Sequence, residues 1–277
     1  MNEQTTLYIC PTPIGNLKDI TLRVLETLEA VDIIAAEDTR HTVKLLNHYN
    51  IKKKLISYHE HNKLKMQPVL LELLQSGKNV ALVSDAGMPG ISDPGSDIVA
   101  ACIAENINVE VLPGANAAIT ALVASGLNTD AFVFVGFLPK KITDARRYLE
   151  TIKNENKTLI FYESPHRLQK ILELLNNVLG NRRIALAREL TKMHEQILRF
   201  SLQEAIEHYT TIEPRGEYVL VVEGYKDTEI SIDEDLILST IEQYKEQGYS
   251  TKDAITKAAQ KLGLSKNIVY NLTKARN

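Results

Sequence analysis

Four short stretches carry residue types that suit a ligand better than a tight turn alone requires. They are "PTPIGN" (11–16), "SDAGMPGISDPG" (84–95), "LPGANA" (112–117) and "YESPHR" (162–167), and each follows a run of apolar residues. Gly87, Gly90 and Gly95 permit positive φ and close backbone approach, while Pro89 and Pro94 fix the path between them. Asp85 and Asp93 can accept hydrogen bonds from a ligand's amine or hydroxyl groups. One such loop would be an ordinary turn. Four of them, each at a strand end, point to one small-molecule site lined mainly by backbone, where open α/β sheets place their ligands. The dinucleotide fingerprint G-x-G-x-x-G and the Walker A lysine loop are both missing, so NAD and ATP lose their usual supports. A different adenosine-bearing cofactor stays open. His59 and His61 in "SYHEHN" (57–62) form an H-x-H pair with no evident third ligand, so no metal is expected.

The elements that must hold these loops alternate in type. Strand-like runs at 5–12, 33–39, 53–60, 79–85 and 109–114 are interleaved with helical spacing at 21–32, 64–77, 93–106 and 115–126. This is the βαβ rhythm of a mostly parallel sheet. The rhythm restarts with strands at 131–139, 158–164, 183–189, 196–201 and 216–224 and helices at 143–153 and 165–180. The expected organisation is an α/β domain at 1–126, a second at 127–226, and a linker with a small helical domain at 227–277. In that last segment Ala254, Ala258, Ala259 and Leu262 define one apolar helix face. Gly263 fits a helix C-terminal cap and Ser265 the N-cap of a further helix. The resulting helix-turn-helix pattern carries Lys252, Lys257, Lys261, Lys266, Lys274 and Arg276. Two readings of it stand: contact with nucleic acid, and a packing or dimerisation unit.

With 277 residues, 44% hydrophobic and 24% charged, the chain has the composition of an ordinary soluble globular protein. No apolar run spans a bilayer and no signal-peptide pattern opens the chain, so a cytoplasmic location is expected. Cys10 and Cys102 sit in apolar surroundings and read as reduced core thiols. A net charge of −3 excludes a polycation, so a nucleic-acid partner would need local basic patches. Trp is absent and aromatics make up 6%, which argues against extended base-stacking platforms. One patch is "LPKKITDARRYL" (138–149), with Lys140, Lys141, Arg146 and Arg147; Arg167 and Lys170 add to it. Such charges hold phosphates without reading sequence, or else form a solvated helix face.

The motifs "PTPIGNLKDIT", "AAEDTRHT", "SYHEHN", "SDAGMPGISDPG", "LPGANA", "FYESPHR", "ARELTKMHE" and "RGEYVLVVEG", spread in order from 11 to 224, resemble the tetrapyrrole methylase superfamily. Within it the likeness is to the group of small-subunit ribosomal RNA methyltransferases I. The resemblance implies two α/β domains with S-adenosylmethionine in the cleft between them, a homodimer, and methylation of a cytidine ribose 2′-hydroxyl in the decoding region of small-subunit RNA, naked or assembled. It implies a cofactor cleft made from Pro13, Ile14 and Gly15; Ser84, Asp85, Ala86, Gly87 and Ile91; Pro113, Gly114 and Ala115; and Tyr162, Leu190 and Tyr218. A ribose hydroxyl is a weak acid, so a proton acceptor helps as the proton leaves. The candidates are Glu37, Asp38, Glu163 and His59, with Arg40 as a phosphate clamp. Glu37 with Arg40 also reads as a structural ion pair, and Glu163 as a residue that orients a loop. Two rivals stand beside this reading: methylation of a tetrapyrrole, and a ligand-sensing regulator that binds nucleic acid through the helical tail.

Overall fold

We describe the protein from a computed structural model, in which residues 5–226, 234–262, 264 and 266–275 are described. The chain divides into two compact units, one ending at Tyr225 and one beginning at Lys226.

The first unit opens with β1 (Thr6–Ile9), α1 (Leu22–Ala30), β2 (Ile33–Ala36), α2 (Thr39–His48), β3 (Lys54–Ser57), α3 (Lys63–Gln75), β4 (Val80–Val83), α4 (Ser96–Ala104) and β5 (Asn108–Val111). The strands form a parallel sheet in the order β3-β2-β4-β1-β5. Every residue of β2 and β4 is buried, as parallel strands covered on both faces require. Alternation sends Ala81 and Val83 into the core under α1 and α2, and Val80 and Leu82 into the core under α3 and α4. Both cysteines are buried and free, one in each of these cores.

The structure departs from two sequence expectations here. Helix α2 carries little sequence signal, because its buried face is built from Thr42, Leu45 and Leu46 among polar neighbours. What marks it is Asp38, whose side chain accepts the Arg40 N–H as an N-cap. The helix expected over 93–106 begins only at Ser96, with Gly95, at φ +153°, in the N-cap position.

Helix α5 (Ala117–Ser125) follows β5 in the chain, within the expected first domain. Its residues Ala118, Ala121 and Leu122 nevertheless bury against Ile160, Ala185, Ala187, Val219 and Val221 of the second sheet. That sheet comprises β6 (Phe132–Phe137), β7 (Thr158–Glu163), β8 (Arg183–Arg188), β9 (Gln196–Ser201) and β10 (Tyr218–Val222). Its order is β6-β7-β10-β8-β9, and only β6 and β7 are parallel. Helices α6 (Ile142–Ile152), α7 (Pro165–Leu179) and α8 (Leu202–Thr211) cover its other face. Helix α8 adds to the expected elements, and Ser201 and Glu204 form a capping box at its start.

In the second unit, α9 (Glu234–Glu246), α10 (Thr251–Leu262) and α11 (Lys266–Ala275) bury Ile237, Ile241, Ala254, Ile255, Ala258, Ala259 and Val269 together. The apolar face expected from the alanines is thus the core of this unit. The caps expected at Gly263 and Ser265, and Arg276, lie outside the described residues. Among the described residues no helix is long and apolar enough to cross a membrane.

Candidate active site

The strand ends of the two sheets meet around a cavity of about 300 Å³. From the first sheet come Ile14, Glu37 and the loop Asp85–Asp93; from the second come Phe137, Tyr162, Glu163, Ala187, Glu189, Leu190, Glu217 and Tyr218. The first sheet's loops are tied to each other. Thr12 and Gly87 exchange backbone hydrogen bonds of 2.9 Å, which joins the first loop to the glycine loop. Gly87 has φ +80°, and a Cβ placed there would meet Ile14 Cγ2 at 3.4 Å.

Of the expected cofactor residues, Ile14, Asp85, Ala86, Gly87, Ile91, Tyr162, Leu190 and Tyr218 line this cavity. Pro13, Gly15, Ser84, Pro113, Gly114 and Ala115 do not. Three of these places have clear structural reasons. A Cβ on Gly15 would lie 2.6 Å from the Leu190 carbonyl oxygen and 2.8 Å from Thr191 Oγ1, so its bareness admits the 189–195 loop rather than a ligand. A Cβ on Gly114 would lie 2.8 Å from the Pro11 ring. Ser84 is buried, and its hydroxyl lies 3.4 Å from both the Ala86 and the Gly87 carbonyl, beneath the loop.

Glu37 and Glu163 are the two expected acid–base residues that line the cavity. Glu163 is 2% exposed. Its Oε1 accepts the Ser164 N–H at 2.8 Å, and Arg167 Nε lies 3.8 Å from it. Its Oε2 has no hydrogen-bond partner among the described residues. A buried carboxylate oxygen left this way is costly unless a ligand donates to it. Burial pushes the Glu37 carboxyl above the usual range, with the nearby Asp85 and Asp38 charges adding to the effect.

Asp38 and His59 do not line the cavity. Asp38 is engaged twice over: it caps α2 and receives Arg40 Nε at 3.1 Å and Nη2 at 2.7 Å. The Arg40 guanidinium, with its hydrogen bonds, holds Asp38 far below the usual carboxylate range, which makes it a poor proton acceptor. The same contact uses the Arg40 fork within its own helix turn, so Arg40 is a local partner rather than a free clamp. Asp38, not Glu37, is therefore the ion-pair partner of Arg40. His59 lies within electrostatic reach of Glu37, and its Nδ1 is buried without a partner among the described residues. No cluster suited to a metal occurs among the described residues.

Arg167 is likewise committed: it donates to the Leu138 and Pro139 carbonyls at 3.3 and 3.0 Å and braces the turn after β6. Lys140, Lys141, Arg146 and Arg147 are exposed around the start of α6, and Arg147 stands 3.7 Å from Asp144.

Two cavity carboxylates, Glu189 and Glu217, escaped the site expectations drawn from sequence, and Asp93, read there as a ligand acceptor, lines the cavity with them. Each is within two residues of an expected site residue, in "SDPG", "ARE" and "RGEY". Burial and the neighbouring Glu37 charge push Asp93 up to about 7, partly offset by the Ser84 hydroxyl. Six carboxylates and one amine, Lys192, thus line the cavity together with apolar walls. Such a lining suits a compact cation with an apolar body.

The chain matches the family model of Tetrapyrrole (Corrin/Porphyrin) Methylases over residues 6–206. It is 47% identical over 275 residues to a Ribosomal RNA small subunit methyltransferase I of Halalkalibacterium halodurans, covering 98% of this chain and 95% of the relative. To the protein of the same name from Bacillus subtilis it is 46% identical over 270 residues, covering 96% and 92%. Its fold is similar to the crystal structure of uroporphyrin-III-C-methyltransferase from Thermus thermophilus, with a TM-score of 0.55, 20% identity, and 79% and 94% of the two chains covered.

Proposed function

The chain belongs to the tetrapyrrole methylase family and, within it, to the ribosomal RNA small subunit methyltransferase I group, and from that premise we propose that it methylates a cytidine ribose 2′-hydroxyl in small-subunit ribosomal RNA. The cofactor is S-adenosylmethionine, which supplies an electrophilic methyl group on a sulfonium when bound. The observation that carries the chemistry is the acid-lined cavity at the facing strand ends, with Glu37, Asp93 and Glu163 in its lining. The RNA substrate rests on near full-length likeness to the relatives.

The residues that would hold the cofactor are Ile14, Asp85, Ala86, Gly87, Ile91, Tyr162, Leu190 and Tyr218. Glu163, in the same lining, would accept a hydrogen bond from a donor on it. Asp93, raised by burial and by the Glu37 charge, serves with Glu37 as the proton acceptor for the ribose hydroxyl. Much of the acceleration comes from holding the hydroxyl in line with the methyl group. Lys140, Lys141, Arg146 and Arg147 meet phosphates outside the cavity. A homodimer and a cytoplasmic location belong to the same reading. The division at 1–126, 127–226 and 227–277 is kept for function, with α5 as the helix that joins the first loop cluster to the second sheet.

The test is incubation of the full chain with labelled methyl donor and, separately, small ribosomal subunits, naked small-subunit RNA, a tetrapyrrole precursor or no acceptor. Label in the RNA is expected. Label in the tetrapyrrole alone overturns the proposal.

A further inference from the structure

The second sheet carries another cavity, of about 410 Å³, on the face opposite the first. Strand alternation creates the pair. In β8, Ala187 lines the first cavity and Arg188 the second; Glu189, just beyond the strand, returns to the first. On β10, Val219 lines the first cavity, while Tyr218 borders both. Arg188 stands opposite Tyr218 on one side and Gln196 on the other. The same strand ends therefore present acids to one cavity and arginines to the other.

The chemistry of the second cavity is that of an anion site. Arg188 spends Nε on Gln196 Oε1 at 2.7 Å, and no ion pair engages its terminal nitrogens among the described residues. Arg215 and His208 line the same cavity. Its floor is aromatic and nearly dry: Tyr209 is 5% exposed and Tyr218 2%, with their rings edge to face at 5.9 Å. The Tyr218 hydroxyl accepts the Arg215 N–H at 3.3 Å. The acidic group at the rim is Glu213, 3.4 Å from Arg215, and both side chains are about four-fifths exposed, so water screens that pair.

We propose that this second cavity binds a backbone phosphate of the RNA whose ribose enters the first. The assignment rests on the RNA reading above. An RNA strand brings one negative charge per nucleotide, and a cavity walled by carboxylates repels it. A neutral ribose can enter the acidic cavity only if the phosphates of its strand are held elsewhere. The arginine cavity, on the other face of the same strand ends, shares Tyr218 with the first and has the opposite charge. A planar guanidinium with free terminal N–H groups is matched to phosphate oxygens.

The test uses Arg188→Gln, Arg215→Gln, their double variant and Arg188→Lys in the full chain. Three quantities are read: KM for small-subunit RNA, the salt dependence of binding to a single-stranded oligoribonucleotide, and the Kd for S-adenosylmethionine. The assignment expects KM to rise about tenfold in Arg188→Gln, with partial recovery in Arg188→Lys. The slope of log K against log salt should fall by about 0.7 for each phosphate that the variant no longer neutralises. Cofactor Kd and kcat at saturating RNA should hold within about twofold. Unchanged KM and salt slope in the variants overturn the assignment. A parallel loss of cofactor affinity also overturns it and makes the second cavity a buttress of the first. If Arg188→Gln fails to fold, the exposed Arg215→Gln decides alone. A wild-type chain that methylates no RNA overturns the functional reading itself, and the phosphate assignment with it.

Discussion

The hydroxyl of Thr191 accepts a hydrogen bond from the backbone N–H of Asn16 at 2.9 Å, joining two loops 175 residues apart. This contact fastens the 189–195 loop of the second sheet to the first strand-end turn beside the cavity. Thr191 holds φ +63° to make it, an uncommon conformation for a β-branched residue. Gly15 is the groove in which the loop lies. A Gly15→Ala variant sets a methyl 2.6 Å from the Leu190 carbonyl, and the clash is with backbone. We expect a loss of about 1–3 kcal/mol of stability and weaker cofactor binding through the displaced Leu190. Thermal unfolding and calorimetry with S-adenosylmethionine check both; a variant unaffected in either would show that the loops are not coupled.

Gly87 tests the cavity floor. Its φ of +80° disfavours any side chain, and valine is the harsher choice. Gly87→Ala should fold with a stability cost of about 1 kcal/mol, since its Cβ meets Ile14 only at ordinary contact distance. The methyl group occupies ligand space, so cofactor affinity should fall at least tenfold. Calorimetry on the folded variant reads this directly, and undiminished affinity would place the cofactor elsewhere.

Asp93 sets a pH dependence of definite sign. An unfolded aspartate titrates near ~4, while the folded one is pushed up to about 7. Between those values the folded protein keeps a proton that the unfolded chain releases. Its contribution therefore favours folding less and less as pH rises from about 4 to about 7. Asp93→Asn removes that loss, so Tm of the ligand-free variant should exceed wild type above pH 7. Activity runs the other way: kcat/KM should climb with pH and level off above about 7, and Asp93→Asn should flatten the climb. A wild-type profile with no limb near 7 would exclude Asp93 as the acceptor.

Asp38 and Glu163 separate structural from ligand-facing carboxylates. Asp38→Ala removes an N-cap and the Arg40 ion pair, so Tm should fall while kcat stays near wild type. Asp38→Asn, which still caps, should restore Tm. Glu163→Gln should leave Tm nearly unchanged and weaken cofactor binding about tenfold, the scale of a charge-assisted hydrogen bond removed from a buried site. The opposite pattern, with kcat lost in Asp38→Asn and unaffected binding in Glu163→Gln, would reverse their roles.

Much of this architecture is legible in the sequence because parallel strands announce themselves. "VALV" at 80–83 is apolar on both faces, and the loop after it is rich in glycine and proline, so strand and ligand loop can be read together. Glycine, however, reads the same whether it admits a ligand or a neighbouring chain segment. Gly87 lines the cavity, but Gly15 and Gly114 admit Leu190 and Pro11, partners about 175 and 100 residues away in sequence. Charged residues mislead in a similar way. "EDTR" offers two acids and a base, yet only the fold shows that Asp38 takes the arginine and leaves Glu37 in the cavity. Helix α5 reads as part of the first βαβ rhythm, and its small residues give no sign that they match the second sheet until both are folded.

The most direct measurement of the central claim is methyl transfer to small-subunit RNA in which the target cytidine is replaced by its 2′-deoxy analogue. The base edge and the phosphates are unchanged, while the proposed nucleophile is gone. The account predicts that the full chain labels the ribose of the normal RNA, binds the deoxy RNA with modestly reduced affinity, and transfers no methyl group to it. Continued methylation of the deoxy RNA would place the acceptor on a base atom and contradict the ribose mechanism.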